Sequence, residues 1–117
     1  MSCGYQMYKL SGLQPVFAKK VRQVVCNMEK RGWRIRIVWG KRTKEENDRL
    51  VRAGLASRHS KHLIGKGCDL SERTLGNAMV DHNHKFYKDL EELAKQEGLI
   101  WGGNFKSRWD PCHIEIR

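Results

Sequence analysis

The chain has 117 residues, of which 39% are hydrophobic, and its 23 basic and 13 acidic side chains give a formal net charge of +10. This length fits one compact domain with a single core. We therefore expect residues 1–117 to form one domain, with 1–12 as an N-terminal lead-in and no separate binding module. The charge favours a polyanionic partner, such as nucleic acid, an anionic membrane surface or an acidic cell-wall polymer.

No segment approaches the roughly 20 consecutive apolar residues that a membrane-spanning helix needs. Residues 1–10 also lack the basic start and long apolar run that are typical of a secretory signal. The sequence therefore predicts a protein that is synthesised in the cytoplasm, with neither a signal peptide nor a membrane span.

The cysteines are widely spaced and include no Cys-x-x-Cys pair. This spacing argues against a structural zinc finger and against a thioredoxin-like motif. We expect reduced, mostly buried thiols at Cys3, Cys26, Cys68 and Cys112.

The first predicted helix begins at Pro15, because proline suits the first turn of a helix, and ends at Gly32. Between them, apolar residues recur at spacings of three and four, at Phe17, Val21, Val24, Val25 and Met28. Over residues 33–39 the side chains alternate between apolar and mainly polar, which predicts a strand with one buried face.

A second, shorter helix is predicted from a capping box, in which Thr43 is followed three residues later by Glu46. This helix is expected to stop at Gly54. Arg42 is left at the corner between strand and helix, where a side chain can project into a cleft.

Residues 66–70 are predicted to enter a strand in which Asp69 faces away from its apolar neighbours. An amphipathic helix is expected within residues 77–97, and a short apolar strand at 99–101. In the last predicted strand, 112–117, His113 and Glu115 share the polar face. Because helices and strands alternate irregularly, we predict an α+β fold with a small, mainly antiparallel sheet and flanking helices.

Three side chains have the pattern of a hydrolytic zinc site, which commonly has three protein ligands and an open position for water. They are His62, Asp69 and His113, and local alternation places each on the side away from apolar neighbours. A metal at such a site acidifies a water molecule and polarises a carbonyl, but amide hydrolysis also needs a base.

Asp110 is the nearest candidate base, and Glu115 is a rival that we rank second. Residues three apart in an ideal strand point to opposite faces, so Asp110 and His113 can meet only if the chain bends or bulges at Pro111.

Each residue also has an ordinary explanation. Histidines of a basic domain are more often surface or hydrogen-bonded residues than ligands, and His59, His82 and His84 are expected at the surface. Asp69 and Asp110 could stabilise turns, and Arg42 could be a solvated cation.

The motifs resemble the zinc peptidases of peptidoglycan, which comprise D-alanyl-D-alanine carboxypeptidases and L-alanyl-D-glutamate endopeptidases, including phage endolysins. The resemblance covers roughly residues 13–117. It is carried by Ser60-x-His62-x-x-Gly65-x-Gly67-x-Asp69, by Asp110-x-x-His113, by Trp101-Gly102-Gly103 and by Gly40-Lys41-Arg42-Thr43, which is similar to the family's Gly-Tyr-Arg-Ser.

The resemblance implies that His62, Asp69 and His113 bind Zn²⁺ and that Asp110 is the catalytic base. It also implies that Arg42 holds or polarises the substrate carbonyl, that Ser60 lines the substrate site, and that the fold is like that of Hedgehog and the D-Ala-D-Ala peptidases.

The sequence departs from the family's pattern at three positions. Gly67 replaces the usual Ala, Lys41 replaces an aromatic residue, and Asn47 stands where Gln is common. None of these removes a metal ligand or the base, so we expect them to bear on substrate detail.

The implied function is a zinc-dependent peptidoglycan hydrolase that cuts the stem peptide at the L-Ala-D-Glu bond. The protein resembles a phage-type endolysin, expected to be a monomer that acts at the anionic cell envelope after release. The alternative within the family is a D-alanyl-D-alanine carboxypeptidase. From a different class, the charge favours a basic nucleic-acid-binding module that uses Arg34 and Arg36, but the sequence has no recognisable motif for a specific nucleic acid.

Overall fold

A computed structural model describes residues 7–74, 84–106 and 109–117. Its three α-helices are α1 (Pro15–Lys30), α2 (Lys44–Arg52) and α3 (Lys85–Gln96). Its four strands are β1 (Ile35–Trp39), β2 (Gly67–Glu72), β3 (Ile100–Trp101) and β4 (His113–Glu115). The strands form one antiparallel sheet in the order β1-β2-β4-β3, as the α+β prediction requires. No helix within these ranges has the length and hydrophobicity that crossing a membrane requires.

The core forms where α1 and α3 pack together against the inner side chains of the sheet. The apolar face predicted for α1 is buried, and the Gln14 side chain caps the helix by accepting from the Phe17 amide at 2.8 Å. Strands β1, β2 and β4 contribute the buried side chains Ile35, Ile37, Cys68, Leu70 and Ile114. The helical periodicity and strand alternation in the sequence therefore identify the core residues correctly.

The two faces of β2 separate the core from the polar side of the sheet. Cys68 and Leu70 are fully buried in the core, whereas Asp69 between them points the other way and is half-buried. Asp69 pairs across the sheet with His113 of β4. Because directly paired residues share a face, the register of β2 and β4 places these two side chains together.

Some expectations for local structure are wrong. Met7–Leu10 forms a 3-10 helix with Leu10 buried, where an extended lead-in was expected. Lys61–Ile64 forms another 3-10 helix that the sequence did not indicate. The predicted helix within 77–97 is confirmed over Lys85–Gln96, while its first part, up to residue 83, lies outside the described residues.

The expectation of reduced thiols holds for Cys68 and Cys112, which are free. It is wrong for Cys26, which is disulfide-bonded. The prediction for Cys3 lies outside the described residues.

A buried carboxylate, Asp89 of α3, connects this helix to the end of α1 and the start of β1. Its oxygens accept hydrogen bonds from Arg31 at 2.9 Å, Trp33 at 2.8 Å and Lys85 at 2.8 Å. Burial raises the pKa of Asp89, but these hydrogen bonds outweigh that effect and hold the pKa below its usual range. The ionised carboxylate therefore stabilises the packing of α3 against the rest of the core.

We predict that Asp89→Asn lowers the free energy of unfolding by about 1–3 kcal/mol, because a buried charged acceptor of three hydrogen bonds is replaced by a neutral amide. Urea denaturation at pH 7 measures this. The folded-state pKa of Asp89 is lowered, so its contribution is present at neutral pH and is lost as the pH falls into the acid range.

Glu92→Gln is the matched control, because Glu92 also contacts Arg31 at 2.9 Å but its side chain is 56% exposed. We expect little change in stability from this variant. An equal loss in both variants would contradict the assignment to buried hydrogen bonds.

Candidate active site

Three side chains of metal-ligand type converge on the polar side of the sheet. His62 comes from the 3-10 helix Lys61–Ile64, Asp69 from β2 and His113 from the first position of β4. One ligand atom from each lies within 4.8 Å of the others. Both histidines are buried and Asp69 is half-buried, so the structure brings together the three ligands that the sequence predicted.

The orientation of His62 is fixed by a hydrogen bond on one side of its ring and by the Asp69 carboxylate on the other. Its Nδ1 lies 2.7 Å from the carbonyl oxygen of Gly40, and its Nε2 lies 3.2 Å from Oδ1 of Asp69. A carbonyl can only accept, so Nδ1 carries a proton, and in the neutral form of the ring that a metal binds the lone pair lies on Nε2. His62 is therefore held in the tautomer that offers Nε2 as a ligand.

The His113 ring is held in a similar way, with the two nitrogens exchanged. Its Nδ1 lies 2.9 Å from Oδ1 of Asp69, and its Nε2 lies 2.8 Å from Oε1 of Glu115. When the ring is neutral, as metal coordination requires, Glu115 accepts from Nε2–H and the lone pair lies on Nδ1. His113 thus offers Nδ1 toward the same point as Nε2 of His62.

The electrostatics of the cluster follow from these contacts. Burial raises the pKa of Asp69, but hydrogen bonds from His113 and His62 outweigh it and hold the pKa well below its usual range. Burial lowers the pKa of His113, but hydrogen bonds to Asp69 and Glu115 raise it to about 9. Asp69 is therefore an anion that attracts positive charge at this point of the molecule.

The donor set fits a zinc ion. Two imidazole nitrogens and one carboxylate form a common hydrolytic ligand set, and each ligating histidine has its other nitrogen bonded to an oxygen, as in well-ordered zinc sites. The oxygens are the Gly40 carbonyl and the Glu115 carboxylate. Candidate ligands and oxygen partners that orient them are thus both present in this chain.

Arg42 is not a solvated surface cation, because it is only 6% exposed. Its guanidinium donates to Oδ1 of Asn47 at 3.0 Å and lies 3.5 Å from Oδ2 of Asp69. Its Cζ lies over the Trp39 ring, 4.9 Å from the ring centroid. One guanidinium nitrogen donates to Oγ of Ser60 at 3.4 Å. The side chain projects from the corner between β1 and α2 into the cleft, as the sequence indicated.

The site lies in a cleft of about 270 Å³ that the three candidate ligands line together with Arg42, Ser60, Asp110 and Glu115. Ser60 caps the 3-10 helix by accepting from the His62 amide at 3.2 Å, so it both positions His62 and faces the cleft. All six residues that the sequence and the family resemblance singled out therefore lie in one place.

Asp110 reaches the cleft through a turn. The amide of His113 donates to the carbonyl of Asp110 at 3.1 Å, which closes a turn through Pro111 directly before β4. The bend expected at Pro111 is thus present, but it is a turn that precedes the strand and not a bulge within it. Asp110 and His113 line the same cleft because the chain reverses between them.

The Trp-Gly-Gly motif supports this turn from the side. The Asp110 amide donates to the Gly102 carbonyl at 3.0 Å, and the Trp101 indole donates to the Pro111 carbonyl at 2.7 Å. A side chain on Gly102 would overlap the carbonyl of Asp110. Glycine is therefore needed at position 102, the start of the 3-10 helix Gly102–Asn104 after β3, because the backbone of Asp110 passes close to it.

Gly67, one of the departures from the family's pattern, lies against a candidate ligand. A Cβ at this position would lie 2.8 Å from Cε1 of His113 and 3.0 Å from Cβ of Lys61. The glycine thus lies behind the His113 ring, and its lack of a side chain leaves space for that ring.

Several residues contribute to the site in ways that the sequence did not predict, and Asn47 was noted there only as a departure from the family's pattern. Asn47 is buried, and it links Arg42 to the loop after α2 by donating to the Ser57 carbonyl at 2.9 Å. Leu55 and Phe105 give the cleft an apolar wall. An Asn on a short helix and apolar residues in loops have no periodic signal, so only the tertiary structure identifies them.

The remaining histidines fall outside the ligand set. His59 is exposed, as expected, and lies at the edge of the cleft. His84 is half-buried, contrary to expectation, because its Nδ1 caps α3 by accepting from the Phe86 amide at 3.1 Å. The prediction for His82 lies outside the described residues.

Two solved structures have the same fold as this chain. The crystal structure of Serratia marcescens L-Ala D-Glu endopeptidase ChiX is similar with a TM-score of 0.72 and 22% identity, over 99% of this chain and 89% of that chain. The structure of the LdcB LD-carboxypeptidase is similar with a TM-score of 0.67 and 16% identity, over 89% of this chain and 58% of that chain. The chain therefore shares the fold of these two proteins, which confirms the expected fold.

The sequence itself identifies the family. Residues 54–116, just over half of the chain, match the family described as D-alanyl-D-alanine carboxypeptidase. The chain belongs to this family of peptidases, so the family resemblance is confirmed. No curated protein matches the chain in sequence.

Proposed function

We propose that the protein is a zinc-dependent peptidase that cleaves the stem peptide of bacterial peptidoglycan. The observation that carries this proposal is the convergence of His62, Asp69 and His113, with the second nitrogen of each histidine bonded to an oxygen. Family membership and the peptidase fold support the same reaction class.

Zinc bound by these three residues would acidify a water molecule and polarise the scissile carbonyl. Asp110 acts as the base, because it lines the same cleft as the three candidate ligands. The ligands themselves cannot accept a proton while they coordinate zinc. It accepts the proton of the attacking water and then returns it to the leaving amine.

Arg42 holds the carbonyl oxygen of the substrate. Its guanidinium is fixed by Asn47 and by the Trp39 ring, so it needs little reorganisation to stabilise the negative charge that develops on that oxygen. Ser60 lies beside it and lines the same part of the cleft.

Glu115 is a positioning residue in this proposal, and not the base. Its carboxylate lies 2.8 Å from Nε2 of His113, so it fixes the tautomer in which Nδ1 is the ligand. A carboxylate engaged in this way strengthens the basicity of the histidine and keeps the ring in place.

The bond that we propose is L-Ala-D-Glu, and the biological role is that of a phage-type endolysin that acts at the cell wall as a monomer. The similarity to the L-Ala D-Glu endopeptidase ChiX, over nearly the whole of both chains, supports cleavage of the L-Ala-D-Glu bond. The net charge of +10 suits an anionic cell envelope. The alternative, removal of terminal D-Ala, is favoured by the description of the family.

Product analysis distinguishes the two activities. We expect purified peptidoglycan, digested by the zinc-loaded protein, to show new N-terminal D-Glu by mass spectrometry, with His113→Ala as the inactive control. Released D-Ala would instead identify the carboxypeptidase. If the protein binds zinc and no new ends form, both assignments are wrong.

The roles of ligand and base can be separated by two substitutions. We expect His113→Ala to lose stoichiometric zinc in metal analysis, whereas Asp110→Asn keeps zinc and loses at least about 100-fold in kcat, the usual contribution of a general base. Near-normal turnover by Asp110→Asn would show that Asp110 is not the base.

Glu115 gives a different pattern. We expect Glu115→Ala to weaken zinc binding by about 10–100-fold, because the partner of His113 is lost. Glu115→Gln keeps an acceptor oxygen, so most of the affinity and the turnover at saturating zinc should remain. Zinc titration against a chelator measures the affinity. A Glu115→Gln variant with full zinc and no turnover would make Glu115 the base.

A further inference from the structure

A second groove adjoins the candidate active site. It has a volume of about 710 Å³ and lies at the start of α2, where Lys41, Thr43 and Lys44 line it together with Arg58 and Asp48. Arg42 lines both this groove and the cleft that holds the zinc-ligand set. A ligand whose carbonyl contacts Arg42 can therefore extend from one depression into the other.

The groove carries positive charge that is not balanced locally. Lys44 is paired with Asp48 at 2.9 Å, one turn along α2. Lys41 and Arg58, in contrast, have no carboxylate partner within residues 7–74, 84–106 and 109–117. Two exposed cations are thus available to an anionic group that enters the groove.

Lys41 lies in the groove beside Gly12 and Arg42. A side-chain carbon on Gly12 would lie 3.4 Å from Cδ and 3.5 Å from Cβ of Lys41, so the aliphatic stem of the lysine borders the space that a side chain on Gly12 would enter. Arg42, the next residue, turns into the protein and is 6% exposed, while Lys41 remains exposed. Lys41 therefore lines only the second groove, whereas its neighbour Arg42 lines both the groove and the cleft.

We propose that this groove is a substrate subsite that binds a carboxylate of the stem peptide, next to the residue whose carbonyl is attacked. The inference rests on the proposed function and adds to it the charge of the substrate that the protein selects. Lys41 and Arg58 supply the attraction, and Lys44 contributes little because Asp48 already neutralises it.

The size of the effect follows from the exposure of the two cations. An exposed ion pair changes an equilibrium constant by about two- to fivefold, and salt screens it. Together, Lys41 and Arg58 should improve binding of a carboxylate-bearing peptide by about 5–20-fold at low ionic strength. The effect should appear in KM and leave kcat nearly unchanged, because the contact is made in both the ground state and the transition state.

The test uses two synthetic stem peptides that differ only in whether the carboxylate beside the scissile bond is free or amidated. For the wild type, we expect amidation to raise KM by about 5–20-fold. For the double variant Lys41→Ala, Arg58→Ala, we expect the two peptides to have equal KM. Lys19→Ala is the matched control, because it removes an exposed cation of α1 that does not line the groove, and it should discriminate like the wild type. Lys41→Arg in place of Lys41→Ala should restore discrimination.

Peptide binding to zinc-loaded Asp110→Asn, measured by fluorescence anisotropy, tests the inference without requiring cleavage. If the wild type cleaves neither peptide but binding still depends on the carboxylate and on Lys41 and Arg58, the proposed reaction fails and the subsite stands. If cleavage occurs and the double variant loses equally on both peptides, the subsite is wrong. The subsite is also wrong if the double variant loses affinity for intact cell walls but not for the peptides, since the groove would then bind an envelope polymer.

Discussion

The carboxylate of Asp69 is the contact on which the candidate site depends, and the register of two strands places it there. Asp69 pairs with His113 across β2 and β4, and its Oδ1 lies within 3.2 Å of a nitrogen of each histidine. A shift of this register by one residue would turn one of the two side chains into the core. The fully buried neighbours Cys68, Leu70 and Ile114 make such a shift costly, so the hydrophobic core determines the geometry of the polar site.

Polar side chains that are this deeply buried need hydrogen-bond partners. The segments that build the fold supply these partners themselves. The backbone carbonyl of Gly40 holds His62, Glu115 of β4 holds His113, and Asn47 of α2 holds Arg42. Each partner lies on a segment that already contributes to the sheet or to the helix beside it. The orientation of the candidate ligands is therefore a property of the whole domain and not of one loop.

The sequence predicts much of this arrangement because the relevant signals are local. Alternation in β2 places Asp69 opposite the core, and the Thr43–Glu46 capping box, confirmed in the structure, fixes the start of α2. The 3-10 helix that carries His62 and the turn at Pro111 were not anticipated in form, since short helices and turns have no periodicity. The pairing of Glu115 with His113 could not be assigned either, because alternation shows a shared face but cannot distinguish a base from an orienting partner.

The three departures from the family's pattern lie in different surroundings. Two lie inside the site and one lies at the surface of the adjoining groove. Gly67 lies against the His113 ring and Asn47 contacts Arg42, so both adjust the internal support of the site. Lys41 instead lies at the surface of the adjoining groove, where a change from an aromatic to a cationic side chain leaves the buried network intact. An exposed charge can be exchanged at little cost to stability, whereas a buried one cannot. If the groove is the subsite that we propose, selectivity for substrate charge can change there while the candidate ligand set stays the same.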